Sequence, residues 1–353
     1  MEAALYGEGG FFAEGGGAGR AGRDFITSPE VGSLFGACVA RALDGWWRDL
    51  GRPDPFLVVE AGAGNGRLAR DILRAAPECL RALRYVLVER SPVLRAEQRT
   101  RLAMEPPDEA LGPFVRAAGN DASVPEENAG PVFASLDDLP ALDVADAVVL
   151  ANELLDNLVF GVAEFDGERW NEVRVGVDGD RFVEVVVPAG DETPSIDVPA
   201  GTRAPIPRGV RAWFEACDLV LRSGLIAIVD YMANANELLD RDWLRTYRGH
   251  ERGVAPLTDP GEFDITADLV VEQLLACAPG LALRTQTSQT EWLRSLGIDA
   301  LVEEGAQAWE AGAHRGDLEA LAGRSRSNEA AALTDPNGLG AHHVVVLQKG
   351  ARR

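Results

Sequence analysis

The chain has 353 residues, and 34 basic against 56 acidic side chains leave a formal net charge of −22. Nucleic-acid affinity rests on Lys and Arg neutralising phosphates, so this balance argues against a nucleic-acid binder and favours a cationic partner. With 46% hydrophobic and 25% charged residues the composition is that of an ordinary globular protein, sufficient for a large core and opposed to disorder throughout.

In chain order, residues 1–24 are rich in glycine and other small residues, carry few apolar side chains, and read as a mobile or ligand-covering arm. The segment has neither the basic start nor the apolar core of a secretory signal, so a cytoplasmic location is expected. Ser28 and Pro29 suit the first positions of a helix, and Val31, Leu34, Phe35, Cys38, Val39, Ala42, Leu43 and Trp46 then recur at helical spacing. One amphipathic helix of about five turns is expected. Phe56–Ala61, Tyr85–Glu89, Ala145–Ala151 and Gly224–Asp230 are short continuous apolar runs, and helical patterns follow them. Strands apolar on both faces and interleaved with helices predict an α/β fold with a mostly parallel sheet.

Between Val162 and Val187 the pattern changes to period-two alternation broken by Asp166-Gly167 and Asp178-Gly179, which predicts inserted β-hairpins. The proline-rich stretch Asp191–Pro207 reads as a loop, Val210–Leu221 as a helix, Ala267–Ala276 as a helix, and Leu281–Thr287 and Ala341–Gln348 as strands. The expected organisation is an arm and helix over 1–50, a cofactor-binding core over 51–160, a β-rich insertion over 161–207, and core again over 208–232. A second insertion over 233–265 and a core completion over 266–353 follow. No apolar run reaches the ~20 residues that span a bilayer. Cys38, Cys79, Cys217 and Cys277 are scattered without a Cys-x-x-Cys pair, and the four histidines show no ligand spacing, so no metal site is expected.

The most informative segment is Glu60-Ala61-Gly62-Ala63-Gly64-Asn65-Gly66, an acid at a strand end followed by a glycine turn. A dinucleotide fingerprint needs a glycine at the place of Arg67, and a strand-end acid suits a cationic ligand better than a pyrophosphate. S-adenosylmethionine, with a sulfonium, an ammonium and no phosphate, fits both points. Glu89 ends the next strand, where a carboxylate can accept two ribose hydroxyls, and Ser135, Leu136 and Asp137 follow a further strand where adenine could be framed.

Asn152, Glu153 and Asp156 lie at the carboxyl end of the Ala145–Ala151 strand. If a helical turn begins there, the two acids share a face and could orient an arginine guanidinium and take its proton. The alternative is that Asn152 and Asp156 cap the helix. Asp230-Tyr231, Tyr247 and His250 are further catalytic candidates, with packing or capping as their alternative roles.

Several ordered motifs now carry a resemblance: Asp24-Phe25-Ile26-Thr27-Ser28-Pro29-Glu30, Glu60-x-Gly62-x-Gly64-x-Gly66, Val88-Glu89-x-Ser91-Pro92, Asn152-Glu153-x-x-Asp156, Leu244-Arg245-x-Tyr247-x-x-His250 and Pro260-Gly261-x-x-Asp264. From Asp24 to the C-terminus the chain resembles the MidA-type methyltransferases. That resemblance implies a class I, Rossmann-like methyltransferase fold with an N-terminal helical arm and inserted β-hairpin and helical segments. It places S-adenosylmethionine over Gly62, Gly64 and Gly66 with Glu89 on the ribose, and brings Thr27 and Ser28 close to it. For mitochondrial members it implies methylation of a protein arginine, so an arginine-bearing protein is the expected partner. The chain departs from the family pattern at Asn65 and at Met232. A non-catalytic assembly factor using a retained methyltransferase fold, or a methyltransferase acting on a small molecule, are the alternatives. The number of subunits is not legible.

Overall fold

The computed structural model of the protein describes residues 1–12, 26–118, 130–190, 192–194, 196–248, 251–253, 255–314 and 318–350. The chain divides into two units, one made of Ile26–Asn152, Cys217–Val229 and Leu281–Arg353, the other of Met1–Phe25, Glu153–Ala216 and Asp230–Gly280.

The first unit is built on a seven-stranded sheet. Its strands are β1 (Phe56–Ala61), β2 (Leu83–Val88), β3 (Val132–Leu136), β4 (Ala147–Asn152), β5 (Gly224–Asp230), β6 (Ala282–Ser288) and β7 (His343–Lys349), in the spatial order 6-7-5-4-1-2-3. β1 runs parallel to β2 and β4, with Glu60 opposite Leu87 on one side and Leu150 on the other, and β6 pairs antiparallel with β7. Every residue of β1, β2 and β5 is buried, which is why these strands read as continuous apolar runs rather than alternating ones. Phe35, Leu43, Phe56, Ile72, Tyr85, Leu150, Trp292 and Val344 belong to one core cluster in this unit. The order of the strands reverses between β1 and β4, and in open parallel sheets such a reversal opens the crevice in which ligands bind at the carboxyl strand ends. The α/β expectation holds.

The long N-terminal helix is in two pieces, Ser28–Val31 and Ser33–Asp49, because a side chain from far along the sequence enters at the break. Glu329 Oε2 accepts the Leu34 amide at 2.9 Å, and a Cβ placed on Gly32 would lie 2.0 Å from the Glu329 carboxyl carbon. Period alone could not reveal this. Gly32→Ala is expected to displace that carboxylate and cost about 1–3 kcal/mol, read as a lower urea midpoint at unchanged slope. A midpoint equal to the parent's would show that Glu329 moves aside freely.

Among the described residues the second unit holds three small sheets. Gly161–Phe165, Trp170–Asp178 and Arg181–Pro188 form antiparallel hairpins, as the alternation and the turn dipeptides predict, whereas Arg203–Ile206, expected as part of a proline-rich loop, is a fourth strand held by its antiparallel pairing with Gly161–Phe165. Asp166 accepts the Glu168 and Arg169 amides and Gly167 adopts φ 104°, which makes the first turn. Two further expectations fail here. The start of the chain is not a mere arm: Glu2–Tyr6 is helical, and Leu5 and Phe11 are buried with Ile265. Met1, Ala4, Leu5, Tyr6, Phe11 and Phe12 suffice for this because the rest of the cluster, Phe160, Leu244 and Ile265, is supplied from far along the chain. The helix expected over Ala267–Ala276 begins at Val271, since Asp264–Ala267 pairs with Leu244–Arg248, and Leu269–Val270 pairs with Met232–Ala233.

Candidate functional site

At the carboxyl end of β1 the chain turns through Gly62, Gly64 and Gly66, which hold φ of 69°, 51° and 79°. These are left-handed conformations that cost L side chains about 1–2 kcal/mol each, which accounts for glycine at all three. The turn is tied down from several directions. Ala63 donates to the Val88 carbonyl at 2.9 Å, and Gly64 N–H donates to Glu89 Oε2 at 3.0 Å. Glu89 Oε1 accepts the Ser91 amide at 2.8 Å, so the carboxylate that closes β2 is latched to the glycine turn itself. Burial raises its pKa, opposed by the Ser91 and Gly64 amides.

A Cβ built on Gly64 would meet no atom within 4 Å, whereas one on Gly66 would stand 3.2 Å from Leu87 and Gln98. Gly66 therefore serves close packing, and Gly64 faces open space of the kind a ligand lying on the main chain requires. The residues present thus suit an adenosyl ligand: a turn without side chains, and a carboxylate whose oxygens each retain lone pairs for hydroxyl donors.

Gln98 is a residue that sequence reading passed over. It is fully buried, donates from Nε2 to the Gly64 carbonyl at 2.7 Å and accepts from Ser135 Oγ at 2.6 Å. It thereby holds the Gly64 carbonyl, as Glu89 holds the Gly64 amide. The available signal was a polar residue in the i, i+4 row Leu94, Gln98, Leu102, where an apolar one would suffice. Asn65 Oδ1 accepts the Arg67 amide at 3.2 Å, and Arg67 pairs with Glu30 at 2.9 Å, so the Thr27–Glu30 segment is tied to the glycine turn. Ser28, also buried, donates to Gln289 Oε1 at 3.0 Å, and Thr27 is half-buried just before the short helix. Leu136 and Asn152 end β3 and β4, both half-buried. Glu60 lies under the turn, 4% exposed, accepting the Tyr85 hydroxyl at 2.9 Å. Burial pushes its carboxyl up to about 8, against the Tyr85 hydrogen bond and with the Glu89 charge. Asp24 lies outside the described residues.

The chain passes from Asn152 straight into Glu153, which begins a segment of the other unit. The shared helical face expected for Glu153 and Asp156 is not formed. Glu153 sits at φ 49°, and only a single 3-10 turn, Leu155–Asn157, follows. The cause is Asp230, whose Oδ2 accepts the Leu154 and Leu155 amides at 3.2 and 2.8 Å and so does the work an N-cap would do from a remote strand end.

Asp156 is 6% exposed and accepts the Thr266 hydroxyl on Oδ2 at 2.6 Å, while Oδ1 has no hydrogen-bond partner. Burial raises its pKa, opposed by the Thr266 hydrogen bond and the Arg245 charge. Asp230 is raised further, by burial first and then by the Asp156 charge. Tyr231 follows in the chain; its phenol is pushed up by burial, then by the Glu153 and Asp156 charges. The guanidinium of Arg245 lies over its ring, 5.8 Å from the centroid. Arg245 Nη2 pairs with Asp268 Oδ1 at 2.5 Å, and Arg241 with Oδ2 at 3.2 Å, so the unit's own guanidinium groups engage Asp268. Tyr247 is half-buried opposite Asp264 on a strand pair, and His250 lies outside the described residues. Among the described residues no group of His, Cys, Asp or Glu could hold a metal ion, and no helix is long and apolar enough to cross a membrane.

Comparison with known proteins places the chain in a family. Residues 38–286 match the model of a family described as "Putative S-adenosyl-L-methionine-dependent methyltransferase". The chain is 28% identical over 267 residues to the mitochondrial protein arginine methyltransferase NDUFAF7 homolog of Drosophila melanogaster, covering 70% of this chain and 58% of that one. To human NDUFAF7 it is 27% identical over 290 residues, covering 78% and 64%. The chain thus spans less than two thirds of the length of these two relatives. Among solved structures, a candidate methyl transferase from Burkholderia thailandensis bound to S-adenosyl-homocysteine superposes with a TM-score of 0.77 at 25% identity, covering 100% of this chain and 87% of that one.

Proposed function

Because this chain belongs to the family of S-adenosyl-L-methionine-dependent methyltransferases, we propose that it transfers the methyl group of that cofactor to the side chain of an arginine in a protein. The observation that carries the proposal is the open glycine turn at the reversal of the sheet, with Glu89 latched to Gly64. Gly62, Gly64 and Glu89 would hold the adenosyl part, Glu89 on the ribose hydroxyls, and Leu136 would flank the adenine. When bound, the cofactor supplies a methyl group already activated by a sulfonium, so the protein need contribute alignment, exclusion of water and a proton acceptor.

Asp156 suits the last of these roles. Its Oδ1 has no hydrogen-bond partner, and a carboxylate with a raised pKa is a better proton acceptor than an exposed one. Glu153 and Tyr231 would orient the guanidinium, whose planar donors match carboxylates. The arginine acceptor is supported by the names of the curated relatives and by the net charge of −22, which attracts cationic segments. A cytoplasmic site of action belongs to the same proposal, and cell fractionation decides it, since those relatives are mitochondrial by name.

The test is transfer of labelled methyl from S-adenosylmethionine into native extract by the parent chain and by Asp156→Asn. Label in protein arginine that Asp156→Asn loses, with S-adenosylhomocysteine binding retained in that variant, supports the proposal. Label confined to small molecules overturns the arginine acceptor. No label at all, with cofactor binding intact, favours a non-catalytic assembly role.

A further inference from the structure

Two cavities lie within the second unit and share a wall. The first, about 20 Å³, is bounded by Asp156, Asp268 and Gln273 among apolar neighbours such as Leu155, Phe160 and Leu274. The second, about 60 Å³, is bounded by Glu192, Arg208, Arg211, Glu272 and Gln273, of which Glu192, Arg211 and Glu272 are exposed. Gln273 and Pro207 belong to both walls. Gln273 is 5% exposed, and neither its amide nitrogen nor its amide oxygen has a hydrogen-bond partner. Asp156 also lines the first cavity, and its Oδ1 is in the same condition.

A buried carboxamide left unsatisfied costs about 1–3 kcal/mol, and leucine, one bond shorter and without polar atoms, would carry no such cost at position 273. The volumes indicate what the polar atoms serve. A cavity of roughly 10–15 Å³ already admits one water, and a water held there needs two to four polar partners. The first cavity has room for one and the second for several.

We propose that water fills both cavities and links Asp156 to the surface, with the Gln273 carboxamide positioning the file where the cavities meet. The carbonyl of Gln273 accepts from one water and its amide donates to the next. A proton on Asp156 Oδ1 passes to the first water as an O–H bond forms there, hops along the file, and leaves at the exposed end beside Glu272 and Glu192; the carboxylate remains. This deepens the reading of Asp156 as proton acceptor, because a buried base that receives a proton at each turnover must lose it again. Gln273 acts through water and is a positioning residue. The charged and titratable groups around Asp156 are Arg245, Asp268, Asp230, Glu153 and Tyr231.

The experiment is carbon-13 resonance of the full chain labelled at aspartate carboxyls, with Asp156→Asn identifying the signal. In the parent the Asp156 resonance should move continuously with pH, as fast proton exchange requires. In Gln273→Leu it should split into separate protonated and ionised signals, and Gln273→Glu, which retains hydrogen-bonding oxygens, should restore the single moving line. A crystal structure of the parent should show ordered water against Gln273 and Asp156. Dry cavities, or identical exchange behaviour in parent and Gln273→Leu, overturn the proposal; should the leucine variant not fold, the crystal structure of the parent decides alone. S-adenosylhomocysteine binding, followed in the same samples, reports separately on the methyltransferase reading.

Discussion

Gly64→Val is expected to weaken S-adenosylhomocysteine binding by about a hundredfold or more, roughly 2.7 kcal/mol, while leaving the fold in place. Two effects act together. Gly64 holds φ 51°, and valine is among the residues least tolerant of the left-handed region. The turn cannot relax to relieve that strain, since its amide is bound by Glu89 and its carbonyl by Gln98. Beyond strain, the valine methyls would occupy the space that is open above Gly64, against which the adenosyl group would rest. Titration calorimetry reads the affinity, and the thermal midpoint with near-ultraviolet circular dichroism shows whether the fold persists. Gly64→Ala, with one methyl at the same φ, should fall between parent and valine. A folded Gly64→Val variant that binds within a few-fold of the parent would remove the cofactor from this turn.

The second large effect concerns pH. Glu60 ionises near 4.5 in an open chain and near 8 in the folded one, because burial disfavours its charged form more than the Tyr85 hydroxyl favours it. Between those values the folded chain keeps a proton that the unfolded chain has lost. Unfolding therefore releases a proton, and stability declines as pH rises from about 4.5 to 8, levelling off above that range. The decline attributable to Glu60 is at most about 5 kcal/mol, the 3.5 between those two pKa values taken at 1.36 kcal/mol each. Asp156, Asp230 and Glu89 are raised by burial as well and contribute with the same sign, so the measurement is a difference. Urea unfolding of parent and Glu60→Gln from pH 5 to 8 should show the parent losing stability relative to the variant as pH rises. Parallel curves would mean that Glu60 titrates as an ordinary carboxyl.

The buried acids share a physical origin with the candidate site. A strand end in a sheet covered on both faces is a dry place, and a carboxylate there either finds donors or keeps its proton. Glu89 finds two main-chain amides, Asp230 finds Leu154 and Leu155, and Asp156 finds Thr266 on one oxygen only. The oxygen left over on Asp156 is the one assigned to chemistry here.

What residue order alone determined was whatever depends on near neighbours. Continuous apolar runs revealed the buried strands, period-two alternation with Asp-Gly turns revealed the hairpins, and three glycines in alternate places after Glu60 revealed a sharp turn bare of side chains. These signals are local because dihedral preference and side-chain period act over a few residues. The tertiary structure decided whatever depends on a partner remote in the chain. Glu329 divides the expected helix at Gly32, Asp230 replaces the expected helical turn after Asn152, Gln98 reaches the Gly64 carbonyl, and Ile265 makes core residues of Leu5 and Phe11. In each case a single side chain satisfies or covers a group far from it in the sequence. The free energy of that contact outweighs a local preference of a few tenths to about 1 kcal/mol, and such pairings leave no periodic trace.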